Sequence, residues 1–341
     1  MTASPHIASI ALTLLLAACA APSPRTLRGE TMGTTWSATL LAPARADIAV
    51  IQRGIQAELD RVVAQMSTYE RDSDLVRFNQ ATAGSWQVLP PGFFTVLEQA
   101  LALAADSGGA YDPTVAPLVD LWGFGAGSRS HRIPGEAEIE AARARVGWRR
   151  IELDARTRSV RQPGGVSIDL SSIAKGFATD EVGRHLESSG IRDYLVEVGG
   201  ELRARGLRAD GQPWHVAIER PDAAAGAVET ADQVERVLLL RDRSIATSGD
   251  YRHAFEHEGT RYTHHIDPRS GWPVQHHIAS VSTLARDALD ADAIGTVVMV
   301  LGPDAGLAWA ERRGLAVRIV VRDGDGFAER MTRAFAAEAA R

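Results

Sequence analysis

Three short segments hold residue types whose spacing suits phosphate chemistry. The first is Val166-Ser-Ile-Asp-Leu-Ser-Ser-Ile-Ala-Lys-Gly176. A strand is expected over Val166 to Leu170, a Ser-Ser turn follows, and helical periodicity begins near Ile173. Free N–H groups at a helix start attract phosphate, and Lys175 adds an ammonium in the first turns. It is the only lysine in the sequence; every other residue of the 37 Lys+Arg is arginine. Either Ser171 or Ser172 could equally serve as a plain helix cap. The second segment is Asp292-Ala-Ile-Gly-Thr296, after Asp287 and Asp290. On a helix, Asp292 and Thr296 project from one face. A carboxylate beside a hydroxyl is a hard-oxygen pair of the kind Mg²⁺ uses. Acidic residues favoured by the helix dipole would give the same pattern. The third is Tyr262-Thr-His-His-Ile-Asp-Pro268, read as a strand with His265 and Asp267 on one side and His264 and Ile266 on the other. An imidazole beside a carboxylate could deprotonate a hydroxyl.

Weaker signals surround these. Leu121-Trp-Gly-Phe-Gly125 offers glycines for close backbone approach and the rings of Trp122 and Phe124 as faces for a planar ligand. His253-Ala-Phe-Glu-His257 spells an inverted zinc-peptidase string, but that motif needs a helix. The stretch instead alternates and runs into a Glu-Gly turn, so we read no zinc site. No dinucleotide fingerprint and no P-loop is present.

These residues need elements to carry them. Apolar spacing predicts helices over Asp47–Met66, Pro91–Ala105, Glu136–Val146, Ile173–Ser188, Ala288–Leu301 and Pro303–Arg313. Strands are expected at Thr34–Leu41, Tyr194–Val198, His215–Glu219, Val234–Leu240, Ser280–Leu284 and Leu315–Val321, with hairpins over Arg149–Gln162 and Phe255–Ile266. Asp222 to Ala231 reads as an exposed loop. Hairpins outnumber βαβ units, so the expectation is α+β, with largely antiparallel sheets, packed helices and a cofactor cleft.

The 341 residues are 45% hydrophobic and 23% charged, which allows an ample core. Net charge is −6 and no basic stretch interleaves with aromatics, which argues against nucleic-acid binding. Ile7–Ala18 is an apolar run of signal-peptide length ending in Leu16-Ala-Ala-Cys19, the sequence's one cysteine. We read residues 1–18 as a signal with a lipobox, 19–27 as a lipid-anchored tether, and 28–341 as one catalytic domain. Residues 1–6 lack the usual positive charge of such a signal. A single cysteine leaves no internal disulfide.

Nine pieces stand in an order that resembles the FAD:protein FMN transferases of the ApbE family. They are Thr31-Met-Gly-Thr-Thr35; Met66-Ser-Thr-Tyr69 with Ser73 and Arg77-Phe-Asn79; Tyr111-Asp-Pro-Thr-Val115; Leu121-Trp-Gly-Phe124; Asp169 to Gly176; Val198-Gly-Gly-Glu201; Ala246-Thr-Ser-Gly249; His265-Ile-Asp-Pro268; and Ala291-Asp292 to Thr296. The match runs from Arg28 to Phe335. It implies a T-fold-like domain that moves FMN from FAD to a Ser or Thr hydroxyl of an acceptor protein, leaves a phosphoester and releases AMP. Implied FAD contacts are Met32, Tyr69, Trp122, Gly123, Phe124, Asp169, Lys175 and Ile266, some through backbone. Implied Mg²⁺ ligands are Asp292 and Thr296, with Ser172 giving a third oxygen, and His265 is assigned to activate the acceptor hydroxyl. Implied acceptors are subunits of membrane redox complexes, NADH:quinone reductase or Rnf type, reached from a lipid-anchored, periplasm-facing position in a bacterial envelope. Two other readings remain: a Mg²⁺-dependent FAD pyrophosphatase, and a non-catalytic FAD-binding lipoprotein. Gly295 stands where some relatives carry Asp, so it brings no side-chain ligand.

Overall fold

A computed structural model describes residues 23–126, 131–221, 234–250, 254–324 and 326–340. The signal, the lipobox with Cys19 and the loop at 222–231 lie outside the described residues. In chain order the strands and helices are β1 (Ser23–Thr31), β2 (Thr34–Ala42), α1 (Ile48–Met66), α2 (Asp74–Gln80), β3 (Trp86–Val88), α3 (Pro91–Asp106), α4 (Ala116–Leu121) and α5 (Glu136–Arg143). Next come β4 (Glu152–Asp154), β5 (Ser159–Arg161), α6 (Ala174–Ser188), β6 (Tyr194–Val198), β7 (Glu201–Arg205), β8 (Trp214–Glu219), β9 (Val234–Leu240), β10 (Arg243–Gly249), β11 (Ala254–His257) and β12 (Thr260–Thr263). The chain closes with β13 (Ile278–Ala285), α7 (Ala288–Leu301), α8 (Pro303–Arg312), β14 (Ala316–Asp323), β15 (Gly326–Met331) and α9 (Arg333–Ala339).

An eight-stranded sheet in the order β1-β2-β6-β7-β10-β13-β14-β15 organises the fold, and its neighbours pair antiparallel throughout. The expected α+β architecture is therefore present. One face is covered by helices. Ile51, Ile55, Leu59, Val62 and Met66 of α1, one per turn or nearly so, bury against it with Trp36, Leu40, Val196 and Val281 from the strands. The other face is covered by the β8–β9 ribbon and α9 through Trp214, Val216, Ile218, Leu238, Leu240 and Phe335.

β1 begins within the segment read as a tether. Residues Ser23 to Leu27 already pair with Leu40–Ala42 and Thr39–Ala38, and Leu27 is buried, so strand begins where anchor was expected. The β11–β12 hairpin turns at Glu258-Gly259 as expected, both with positive φ. Its strand geometry agrees with rejecting the zinc-peptidase string; His253 lies outside the described residues.

Two tight turns meet at one end of the sheet. Met32-Gly33 joins β1 to β2, and Gly199-Gly200 joins β6 to β7. The Gly199 N–H donates to the Thr35 carbonyl at 3.1 Å, so the turns lie side by side. The start of α6 faces them.

Candidate active site

The approach to α6 is held from two sides. The Asn79 side chain donates to the Ile168 carbonyl and accepts from the Ile168 N–H, at 2.9 and 2.8 Å. The Asp169 N–H donates to the Pro113 carbonyl at 2.8 Å. The Asp169 carboxylate then accepts from the Ser171 N–H at 2.8 Å and turns the chain. Neither serine caps the helix: the cap position is Ile173, without a side-chain bond. Ser172 instead donates its hydroxyl to the Tyr111 oxygen at 3.2 Å.

α6 and α7 then cross at very short range. A Cβ on Gly176 would stand 2.3 Å from the Ala288 carbonyl oxygen, so only glycine admits this approach. The Gly176 N–H donates to Asp292 Oδ2 at 3.0 Å. One turn further along, Asp180 accepts from the N–H groups of Ala288 and Leu289, both at 3.0 Å. A side chain of α6 thus caps α7, whose own cap residue Asp287 makes no such bond. Arg203 pairs with Asp180 at 2.6 Å and Asp287 at 3.0 Å. These ties set Asp292 (buried) beside Lys175, and Thr296 (half-buried) follows one turn later on α7.

The crossing is electrostatically loaded. Burial pushes the Asp292 carboxyl above the usual range, opposed by Lys175 and the Gly176 N–H. Glu201 is buried beside Lys175, with Oε1 2.5 Å from Nζ. Burial first, and then the Asp292 charge, raises its carboxyl, while the Lys175 ammonium in direct contact pulls it back towards the ionised form. Burial likewise raises the Tyr111 phenol, with Asp292 and Asp169 adding to it and the Ser172 bond opposing. Asp292, Thr296 and Ser172 form a hard-oxygen donor set. Among the described residues no three His, Cys, Asp or Glu gather as a metal cluster. A cation here would take most of its ligands from water or substrate.

The second half of the site is aromatic. Trp122 follows α4 and is fully buried, its Nε1 donating to the Gly271 carbonyl at 2.9 Å. Tyr262 stacks on it at 5.6 Å and Trp272 leans against it at 5.2 Å. The expectation that its ring offers a face to a ligand is therefore corrected: the ring is a wall post, and only backbone at Trp122 and at Gly123, with φ 87, remains to approach a ligand. Phe124 is half-buried among His131, Phe255 and His264, at 5.1, 5.8 and 6.3 Å.

The expected alternation at His264 to Asp267 is also corrected. β12 stops at Thr263 and the chain bends, so the His264 and His265 rings lie 4.0 Å apart instead of on opposite sides. Asp267 is bound by Arg269 at 2.8 and 2.7 Å. A turn closed by Asp267 N–H to Trp272 O at 2.9 Å shapes the loop, and Ile266 bridges Pro273.

The structure thus brings Lys175 and Asp292 together at one crossing, with Ser172 just before α6, Thr296 one turn further along α7, and Asp169 and the Met32 turn nearby. Trp122, Gly123, Phe124, His265 and Ile266 form the second group. The two are joined where the isolated Val115–Ser167 bridge ties the start of α4 to the segment leading into α6, which is irregular and not the strand expected over 166–170. The negative charges of Asp169 and Asp120 face each other there, adding to the burial that raises Asp120. Tyr69 stands apart on the turn after α1, 70% exposed. Sequence reasoning assigned no site role to Tyr111, Asp180 or Glu201. Tyr111 and Glu201 sit in segments already singled out; Asp180 had only its four-residue offset from Gly176 on α6 as a signal.

The model of the ApbE family matches residues 32–319. The chain belongs to the ApbE family. It is 40% identical over 333 residues to the FAD:protein FMN transferase of Vibrio cholerae serotype O1, covering 96% of this chain and 97% of the relative. The Haemophilus influenzae protein of the same name is 41% identical over 337 residues, 96% of each chain. Among solved structures, the apo form of Pseudomonas stutzeri flavinyl transferase ApbE superposes with a TM-score of 0.86 at 38% identity, covering 94% of this chain and 98% of that one. The apbe protein of Thermotoga maritima superposes at 0.82 with 28% identity, covering 93% and 99%. The mixed α/β architecture built around the antiparallel sheet is thus the one ApbE flavin transferases share.

Proposed function

We propose that this family member moves the FMN half of FAD onto a Ser or Thr hydroxyl of an acceptor protein and releases AMP. The observation that carries the reading is the α6–α7 crossing: a half-buried ammonium, buried carboxylates and hydroxyls meet at a helix start, in a chain 40% identical to a named FAD:protein FMN transferase. In the step proposed, the hydroxyl oxygen bonds to the FMN-side phosphorus. The bond from that phosphorus to the bridging oxygen breaks, and the oxygen leaves with AMP. The hydroxyl proton goes to His265, whose imidazole nitrogen can accept it. Lys175 meets the anionic diphosphate, and backbone at Trp122, Gly123 and Ile266 holds the flavin half beside Met32 and Phe124. Asp169 and Tyr69 complete the contacts, Tyr69 from the exposed rim.

The donor set Asp292, Thr296 and Ser172 fits Mg²⁺, which when bound would supply positive charge against the diphosphate oxygens. Acceptors of the proposed reaction are flavin-carrying subunits of membrane redox complexes, of NADH:quinone reductase or Rnf type. We further assign the chain to a bacterial envelope, held by lipid on Cys19 and facing the periplasm. The apolar run and small residues before that cysteine support this.

The test is direct. The protein is incubated with FAD, Mg²⁺ and such a subunit, then examined for in-gel flavin fluorescence and for AMP. A fluorescent acceptor with matching AMP is expected. AMP with no labelled protein would make the chain a pyrophosphatase, and bound FAD with neither product a storage protein.

A further inference from the structure

The turn between β6 and β7 carries a carboxylate that neither the metal donors nor the flavin contacts use. Glu201 is 3% exposed, with Oε1 2.5 Å from Lys175 Nζ. Its other oxygen, Oε2, is buried with no hydrogen-bond partner among the described residues. A buried carboxylate is costly unless a cation faces it, and here the cation is the sequence's single ammonium. The turn also makes room for the lysine stem. A Cβ on Gly199 would stand 3.2 Å from Lys175 Cδ and 2.8 Å from Thr34 Cγ2, at a φ of 60° that disfavours other residues. The lysine side chain remains 31% exposed, so it is anchored on one side and open on the other.

We propose that Glu201 is a positioning residue for the transfer reaction, anchoring Lys175 in the Gly199 cradle so that its ammonium is pre-set to meet the FAD diphosphate. The inference rests on the FAD reading above. A free lysine stem loses rotamer freedom when ordered, and an anchor removes much of that cost from binding. Glu201 itself is an anion and repels a diphosphate. Its benefit therefore acts only through Lys175, and this fixes the sign of the test.

The test compares FAD binding by flavin fluorescence, and KM against kcat for transfer, in the full chain and four variants, with thermal unfolding as a check on folding. Glu201→Gln is expected to weaken FAD binding about tenfold, equivalent to about 1.4 kcal/mol, with kcat changing less than KM. If charge alone mattered, removing this anion would tighten binding. Glu201→Asp keeps the charge but withdraws it by one methylene, and is expected to weaken binding too. Lys175→Met is expected to be the worst, because it leaves a bare buried carboxylate facing the ligand. The Lys175→Met/Glu201→Gln pair should bind FAD better than Lys175→Met alone. Unchanged or tighter binding in Glu201→Gln, or a double variant worse than Lys175→Met, would overturn the inference. A wild-type chain that neither binds FAD nor labels an acceptor would instead overturn the functional reading beneath it.

Discussion

The two halves of the site are built by opposite means. At the α6–α7 crossing, polar groups are held by backbone: Gly176 N–H on Asp292, and Ala288 and Leu289 N–H on Asp180. On the Trp122 side, rings pack on rings, and Tyr262, Phe255 and Trp272 hold a loop of little regular structure. The first arrangement fixes charges to within a hydrogen bond, as handling a diphosphate demands. The second sets the shape of a wall and can tolerate exchange of one ring for another. The difference predicts that substitutions in the first half will damage chemistry, and substitutions of the packed rings in the second mainly stability.

Asp292→Ala tests the strongest form of that contrast. Transfer should fall at least a hundredfold, in the range for groups that stabilise transition-state charge, while far-UV circular dichroism stays unchanged. Retained activity would remove Asp292 from the metal assignment. Asp180→Ala comes next. Losing a cap to two buried N–H groups and the partner of Arg203 should cost about 3 kcal/mol, seen as a lower melting temperature. It should also raise the Mg²⁺ concentration needed for half-maximal rate, because the capped helix carries Asp292. Trp122→Phe leaves the buried Gly271 carbonyl without its donor, at about 2 kcal/mol. The melting temperature should drop by several degrees with KM for FAD within about threefold. A larger loss of FAD affinity than of stability would mean that the ring contacts the flavin after all. Lys175→Arg should have the smallest effect, a rise in KM of a few fold. The wider guanidinium keeps the charge but fits the Gly199 cradle poorly. No change at all would leave the lone lysine to codon usage.

The same contrast explains what could be read beforehand. Asp292 and Thr296 were legible because they sit four apart on a helix whose bounds, Ala288–Leu301, follow from its apolar pattern. Lys175 was legible from its place after a turn and before a helix. The alternation of His264 and His265 was misread because a period of two was carried past Thr263, where the chain bends. Trp122 was misread because its exposure is decided by Tyr262 and Gly271, far along the chain, and no local pattern reports that. Asp180 was invisible for a similar reason. It looks like an ordinary helix residue until α7 lies against it. β7 and β10 were missed as strands because alternation such as Glu201-Leu-Arg-Ala-Arg205 is too polar to stand out, although each is central in the sheet.

One consequence of the lone lysine is practical. Apart from the N-terminal amine, Lys175 carries the only primary amine in the sequence. An acylating reagent therefore reads a single internal address, and that address lies at the mouth of the cleft. The extent of labelling becomes a gauge of cleft occupancy, with no engineered tag required. Lys-C has one cleavage point, buried at its carboxyl side by Gly176 against Ala288. Resistance to that protease reports whether α6 and α7 are still closed upon each other.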